Sequence, residues 1–191
     1  MSALNNPVPT TAAEKEMLLA LLRESREKFL NSFAGVSDDE SRRKADDGSW
    51  SVLDTVEHLT VAEKLMLRLI TTARCPRTAG SPNREEIFLN RMTDRSRKLQ
   101  APEGGRPTGR FADLTEAAAH FKEAREKAME FVASSTEDLR GTEVTHPHPA
   151  AGTVSTYEMI IIMARHAERH ALQIEEIRRS PAFRASAAGN S

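Results

Sequence analysis

Residues 163–174, MARHAERHALQI, place two histidines four residues apart, at His166 and His170. On a helix, positions i and i+4 share a face roughly 5–6 Å apart, close enough for two imidazoles to converge on one ion. The same spacing also describes two surface histidines that merely share a face. The segment resembles the zinc-peptidase pattern HExxH, but Ala167 stands where that chemistry needs a glutamate base, and Glu168 lies on another side of the helix. A peptidase of that kind is therefore not expected.

Met159, Met163, His166, His170, Ile174 and Ile177 advance by three or four residues at each step, the seam spacing of a helix packed in a bundle. Both histidines thus occupy positions that apolar residues would otherwise fill. Two ligands are too few for a stable site. His58 lies on another amphipathic stretch, with Leu65 two turns further along the same face. If His58 also faces inward, three neutral imidazoles from two helices meet, and burying them without a common partner would leave several nitrogens to satisfy.

These residues are positioned by helices that begin at repeated capping signals, a Ser, Thr or Asp three residues before an acidic residue. The first is expected to start at Thr11 with Glu14 and run to about Phe33, where Gly35 stops it. The second starts near Ser51 with Asp54 and ends before Pro76; the third starts near Asp113 with Glu116; the fourth starts near Ser155 with Glu158 and ends before Pro181. Strand signals are nearly absent. Four helices of similar length with apolar stripes read as an all-α fold, a four-helix bundle.

Residues 75–110 are too long for a simple link. They carry a shorter polar helix bearing Ile87, Phe88, Met92 and Leu99, then the Gly/Pro-rich stretch APEGGRPTGR, and read as a cover or crossover between helices two and three. The segment is basic at Arg91, Arg95, Arg97, Lys98, Arg106 and Arg110, which could hold an anionic cosubstrate or simply form a solvated face among Asp94, Glu85, Glu86 and Glu103. The whole chain, 1–191, reads as one domain with a core at about 14–179 and a tail, 180–191, that is expected to fray.

Composition narrows the partners. Lys+Arg number 27 against 28 Asp+Glu, a net charge of -1 that recommends neither nucleic acid nor an anionic membrane. The longest aliphatic run, MIIIMA at 159–164, is far too short to span a bilayer, and the N-terminal stretch lacks a secretory signal, so a cytoplasmic location is expected. Cys75 is the single cysteine, which excludes an intramolecular disulfide and a cysteine-based zinc cluster.

The stretches DDGSWSVLDTVEHLTVAE (46–63), RSRKLQAPEGGRPTGRFADLTEAAAHFKEARE (95–126) and HPAAGTVSTYEMIIIMARHAERHALQIEEI (148–177) resemble the DinB-like, or DinB/YfiT-like, superfamily of four-helix metalloproteins. The resemblance covers roughly residues 14–179. It implies that His58, His166 and His170 bind one divalent metal ion, zinc or nickel first and iron or manganese after them. It further implies a metal-dependent hydrolase or a transferase of a low-molecular-weight thiol such as bacillithiol, mycothiol or glutathione, a small-molecule substrate and pairing as a homodimer. The alternative is a non-catalytic metal- or ligand-binding bundle.

An ion on three neutral imidazoles keeps its charge and an open position, where water is acidified toward neutrality and a thiol is deprotonated. No general base can be named. Asp54 is taken by its cap, although it lies one turn from His58 and could orient it; Glu57 points about 100° away from His58. His120 reads as a packing or surface residue. His146 and His148 read as turn residues near the mouth of the site, His148 in a recurrent HPxxG turn of the family, and Trp50, Ser51 and Tyr157 as residues that pack or cap at a bundle end.

Overall fold

The computed structural model of the protein describes residues 9–44, 49–96 and 99–184. Arg97, Lys98 and the tail from 185 onward, for which expectations were stated above, lie outside the described residues. Four long helices carry the fold: α1 (Ala12–Ser32), α3 (Val52–Thr72), α5 (Leu114–Ser134) and α6 (Thr156–Arg179), with short helices α2 (Asp38–Ser41), α4 (Glu85–Arg91) and α7 (Pro181–Arg184) between and after them.

Full capping boxes open α1 at Thr11/Glu14, α3 at Ser51/Asp54 and α6 at Ser155/Glu158, each tying down two of the backbone N–H groups left free at a helix start. At α5 only half of the box forms. Asp113 accepts from the Glu116 N–H, but the Glu116 carboxylate turns to the Ala112 N–H at 2.6 Å. Beyond the end of α1, Gly35 adopts φ 76°, the left-handed conformation that halts a helix and that glycine enters without a Cβ clash.

Helix directions follow from which residues meet. Arg125 donates to the Leu22 carbonyl, Phe121 packs on Phe29 and Arg26 pairs with Glu126, so α1 and α5 are antiparallel. Lys28 meets Glu168 and Arg178 meets the Ser32 carbonyl, so α1 and α6 are parallel. Thr60 donates to the Ala117 carbonyl, while Thr71 and Lys127, both further toward the C-termini of α3 and α5, line one groove, so these two are parallel as well. Across the two parallel pairs, α1 packs against α5 and α6 packs against α3.

A parallel pair needs a connection that travels back along the bundle, and this is the physical reason for the length of 75–110. The segment acts as a strap. Its Arg77 N–H binds the Gly141 carbonyl, its Arg84 N–H binds Glu158 at 2.6 Å near the start of α6, and Arg95 grips Glu176 near the end. It finishes against α3 through a 3-10 turn, Glu103–Gly105.

The strap also widens the buried surface of α6. Ile160, Ile161, Ile162, Ala164, Ala167 and Ala171 are buried along with the seam residues, so this helix is covered on nearly all sides. One small sheet escaped the sequence reading. Cys75–Pro76 (β1), Thr142–Thr145 (β2) and Thr153–Ser155 (β3) form a small antiparallel sheet at the start of α6, with Cys75 opposite Glu143 and Val144 opposite Val154. Strands this short show no alternation to read.

Two apolar clusters fill the bundle, one with Leu18, Leu22, Met66, Ile70 and Met163, the other with Phe29, Val56, Leu59, Phe121 and Ile174. Between them along the helices sits a polar layer built on Arg125 and Glu63, both with fully buried side chains. The Arg125 guanidinium binds both Glu63 oxygens at 2.6 and 3.1 Å, the Ser25 hydroxyl, and the Leu22 and Met163 carbonyls.

Candidate metal centre

His58 stands on the second turn of α3, and His166 and His170 on consecutive turns of α6, where the two helices run antiparallel. One ring nitrogen from each lies within 4.8 Å of the others. Among the described residues these three form the one such cluster; neither His148 nor Glu168 joins it. His58 and His170 are buried, and His166 is half-buried.

Hydrogen bonds fix how the rings present themselves. His58 Nδ1 lies 2.6 Å from the Gly105 carbonyl oxygen. A carbonyl only accepts, so Nδ1 carries the proton and Nε2 keeps its lone pair. His170 Nδ1 lies 2.9 Å from Gln173 Oε1, an oxygen that Arg95 also donates to at 3.4 Å, with the same result. Both rings therefore turn an unprotonated Nε2 away from the backbone.

His166 resolves what such an arrangement fits. Its Nε2 is 2.9 Å from His170 Nε2, and its buried Nδ1 has no hydrogen-bond partner among the described residues. If His166 gives an N–H to His170, its Nδ1 is stripped bare in a buried place. If it carries the proton on Nδ1, two lone pairs face each other across 2.9 Å, and a cation between them removes the conflict. The donor set of borderline nitrogens fits a divalent transition ion.

Electrostatics point the same way. Burial lowers the pKa of all three imidazoles, that of His166 and His170 well below the usual histidine range. The neighbouring rings add to this: His170 and His58 disfavour charge on His166, and His58 disfavours it on His170. The bond to Gly105 opposes the shift at His58. Neutral imidazole is the form that binds metal.

The other candidates fall elsewhere. Glu168 is held by Lys28 at 2.6 Å and by Arg165, which removes it from the site. Asp54 binds the Ser51 backbone and Lys44, so the orienting role at His58 belongs to Gly105 instead. Arg95 is paired with Glu176, Arg110 with Glu57, and Arg106 bonds the Ala101 carbonyl, so these strap arginines are engaged within the protein.

His120 lies on the surface against Phe111 and Glu123. His146 and His148 build a turn in which His146 Nδ1 accepts from the His148 N–H at 2.9 Å; His146 is still near enough to oppose charge on His166. Ser51 caps α3, and Tyr157 is buried under the Arg140 guanidinium. Trp50 packs its ring 4.8 Å from that of His58 and so walls one side of the centre.

Sequence reasoning missed the backbone partner of His58 and the clamp that holds it. Glu57 is buried and accepts from the N–H groups of Thr108, Gly109 and Arg110 at 2.7, 3.0 and 3.0 Å, and from the Arg110 guanidinium at 2.7 Å. Gly109 has φ 76°, which turns three successive N–H groups into a concave anion site. The only sequence signal was the density of Gly and Pro in 102–109.

A family model of the DinB superfamily matches residues 21–174. Among solved structures, the chain is similar to YfiT from Bacillus subtilis, described as a probable metal-dependent hydrolase with an unusual four-helix bundle topology. The two share 15% identity at a TM-score of 0.57, over 94% of this chain and 92% of that one. No curated protein matches the chain.

Proposed function

The chain belongs to the DinB superfamily, and from that premise we propose that it is a metal-dependent enzyme acting on a small molecule, with His58, His166 and His170 as the ligands of one divalent ion. Hydrolysis is the first reading. One observation carries it: three neutral imidazoles, two buried and one half-buried, meet within 4.8 Å, and two of them have Nδ1 committed to carbonyl oxygens. The description of YfiT as a probable metal-dependent hydrolase agrees with it.

Within this reading each residue has a task. Gly105 and Gln173 hold protons on Nδ1 of His58 and His170 and so keep their Nε2 atoms free. Trp50 and the strap keep water from the flanks of the cluster. A divalent ion held there, zinc or nickel first by the family resemblance, would supply Lewis acidity that lowers the pKa of a water or a thiol reaching it.

Without a fourth side chain from the described residues in the cluster, a position is left for substrate, which favours an enzyme over a closed binding site. Transfer of a low-molecular-weight thiol uses the same acidity and belongs in the same assay.

The test starts from metal-stripped protein titrated with zinc and with nickel. About one ion per chain binds, and His166→Ala abolishes it. Nickel, being paramagnetic, quenches the fluorescence of Trp50, the single tryptophan, whose ring lies 4.8 Å from His58. Metal content unchanged by His166→Ala would sink the proposal. Bound metal without turnover across ester, amide and thiol-electrophile panels would leave a binding protein.

A further inference from the structure

Resting on the metal-centre reading, we infer that Glu57 is a positioning residue for that centre: it clamps the 101–110 loop so that the Gly105 carbonyl holds His58 in its metal-ready tautomer. Glu57 and His58 are adjacent on α3 and point in different directions, yet the loop joins them in a closed circuit. Glu57 binds the far end of the loop at residues 108–110. Arg110 then ties that end back to the near end by donating to the Arg106 carbonyl at 2.8 Å. The near end is a 3-10 turn closed by the Gly105 N–H to the Pro102 carbonyl, and its Gly105 oxygen meets His58 Nδ1 at 2.6 Å.

A buried carboxylate is costly unless its oxygens are filled. Here four N–H donors fill them, three from backbone and one from a guanidinium, charge-assisted and convergent. The expenditure is out of proportion to a surface loop whose own side chains are largely exposed. What the loop delivers inward is one carbonyl oxygen. That oxygen decides which nitrogen of His58 holds the proton and raises the basicity of the other.

Glutamine at 57 keeps the shape but turns an NH₂ group toward backbone N–H donors, donor against donor. In Glu57→Gln the loop therefore loosens at 108–110 and Gly105 no longer holds His58. Arg110→Met removes the tie between the two loop ends from a partly exposed position, where folding is not at stake.

Two measurements on the whole 1–191 chain decide the matter. In metal-free protein, long-range nitrogen–proton correlation spectra of the imidazoles are expected to show His58 as the single Nδ1–H tautomer, and as a mixture in both variants. By competition with a chromophoric chelator, zinc binds about 10- to 100-fold more weakly to Glu57→Gln, with a smaller loss in Arg110→Met. A merely structural clamp would lower the melting temperature and leave both readouts alone.

Variants of native helicity with an unchanged His58 tautomer and a zinc affinity within about twofold of the parent would overturn the inference. If Glu57→Gln does not fold, Arg110→Met decides by the same readouts. If the parent protein binds neither zinc nor nickel, the metal-centre reading fails, and the tautomer in metal-free protein still decides whether Glu57 positions His58.

Discussion

Two polar clusters are buried in this bundle within two turns of each other, and they are built on opposite principles. Around Arg125, every named polar partner is matched: guanidinium to carboxylate, hydroxyl and two carbonyls, positive charge to negative. Around His166, charge is excluded by burial, and nitrogens face each other with lone pairs that the described protein atoms do not all satisfy. Both clusters draw on α3 and α6. Location and burial therefore do not separate a structural polar site from the proposed metal centre; the state of its hydrogen bonds does.

The comparison can be broken first at the closed cluster. Arg125→Met leaves Glu63, whose pKa burial already raises, without its counter-charge. A loss of about 3–5 kcal/mol in urea unfolding is expected, with much of it recovered when Glu63→Leu is added. A loss below about 1 kcal/mol would mean that the layer is not the closed unit described.

At the open cluster the lever is pH. His166 and His170 have folded-state pKa values depressed well below those of the unfolded chain. Between those values and about 6.5 the unfolded state binds protons that the native state refuses, so stability is full above that pH and falls as pH drops through it. Each group contributes up to about 1.4 kcal/mol per pH unit. Metal-free protein unfolded by urea at pH 7.5, 6.5 and 5.5 should show the decline, and His166→Ala should make it shallower. A flat profile in the parent would contradict the neutral burial of these rings.

The smallest effect is expected at Glu168, which lies between the two histidines in sequence and outside their cluster. Glu168→Gln should change stability by at most about 1 kcal/mol, since its partner Lys28 is well exposed, and should leave bound metal and any turnover untouched. A loss of metal here would move Glu168 into the centre and undo the contrast.

Much of this was legible in the chain. Thr11, Ser51, Asp113 and Ser155 announced four helix starts, because capping is a local event between residues three apart. The His166/His170 pair was legible for the same reason, and the apolar seam gave its direction. Unreadable were the interactions whose partners are backbone atoms far along the chain. Gly105 reaches His58 across 47 residues through a carbonyl that any residue type would offer. Glu57 was dismissed by its angle to His58, which was correct about contact and silent about the loop. The three-stranded sheet escaped because its strands are two to four residues long, held by pairing and not by pattern.

The parallel run of α3 and α5 bears on the order in which the molecule can assemble. A strap that must travel the length of α6 closes a long loop before it returns any contact, and long-range closure is the slow, entropically expensive part of folding. His58 is translated early, its orienting carbonyl follows only at the far end of the strap, and His166 emerges more than a hundred residues after His58. The helices have local reasons to form and the centre has none. Under the proposed function, competence to hold an ion is therefore a late event in the life of each chain, and it reports that the strap has been laid down in full.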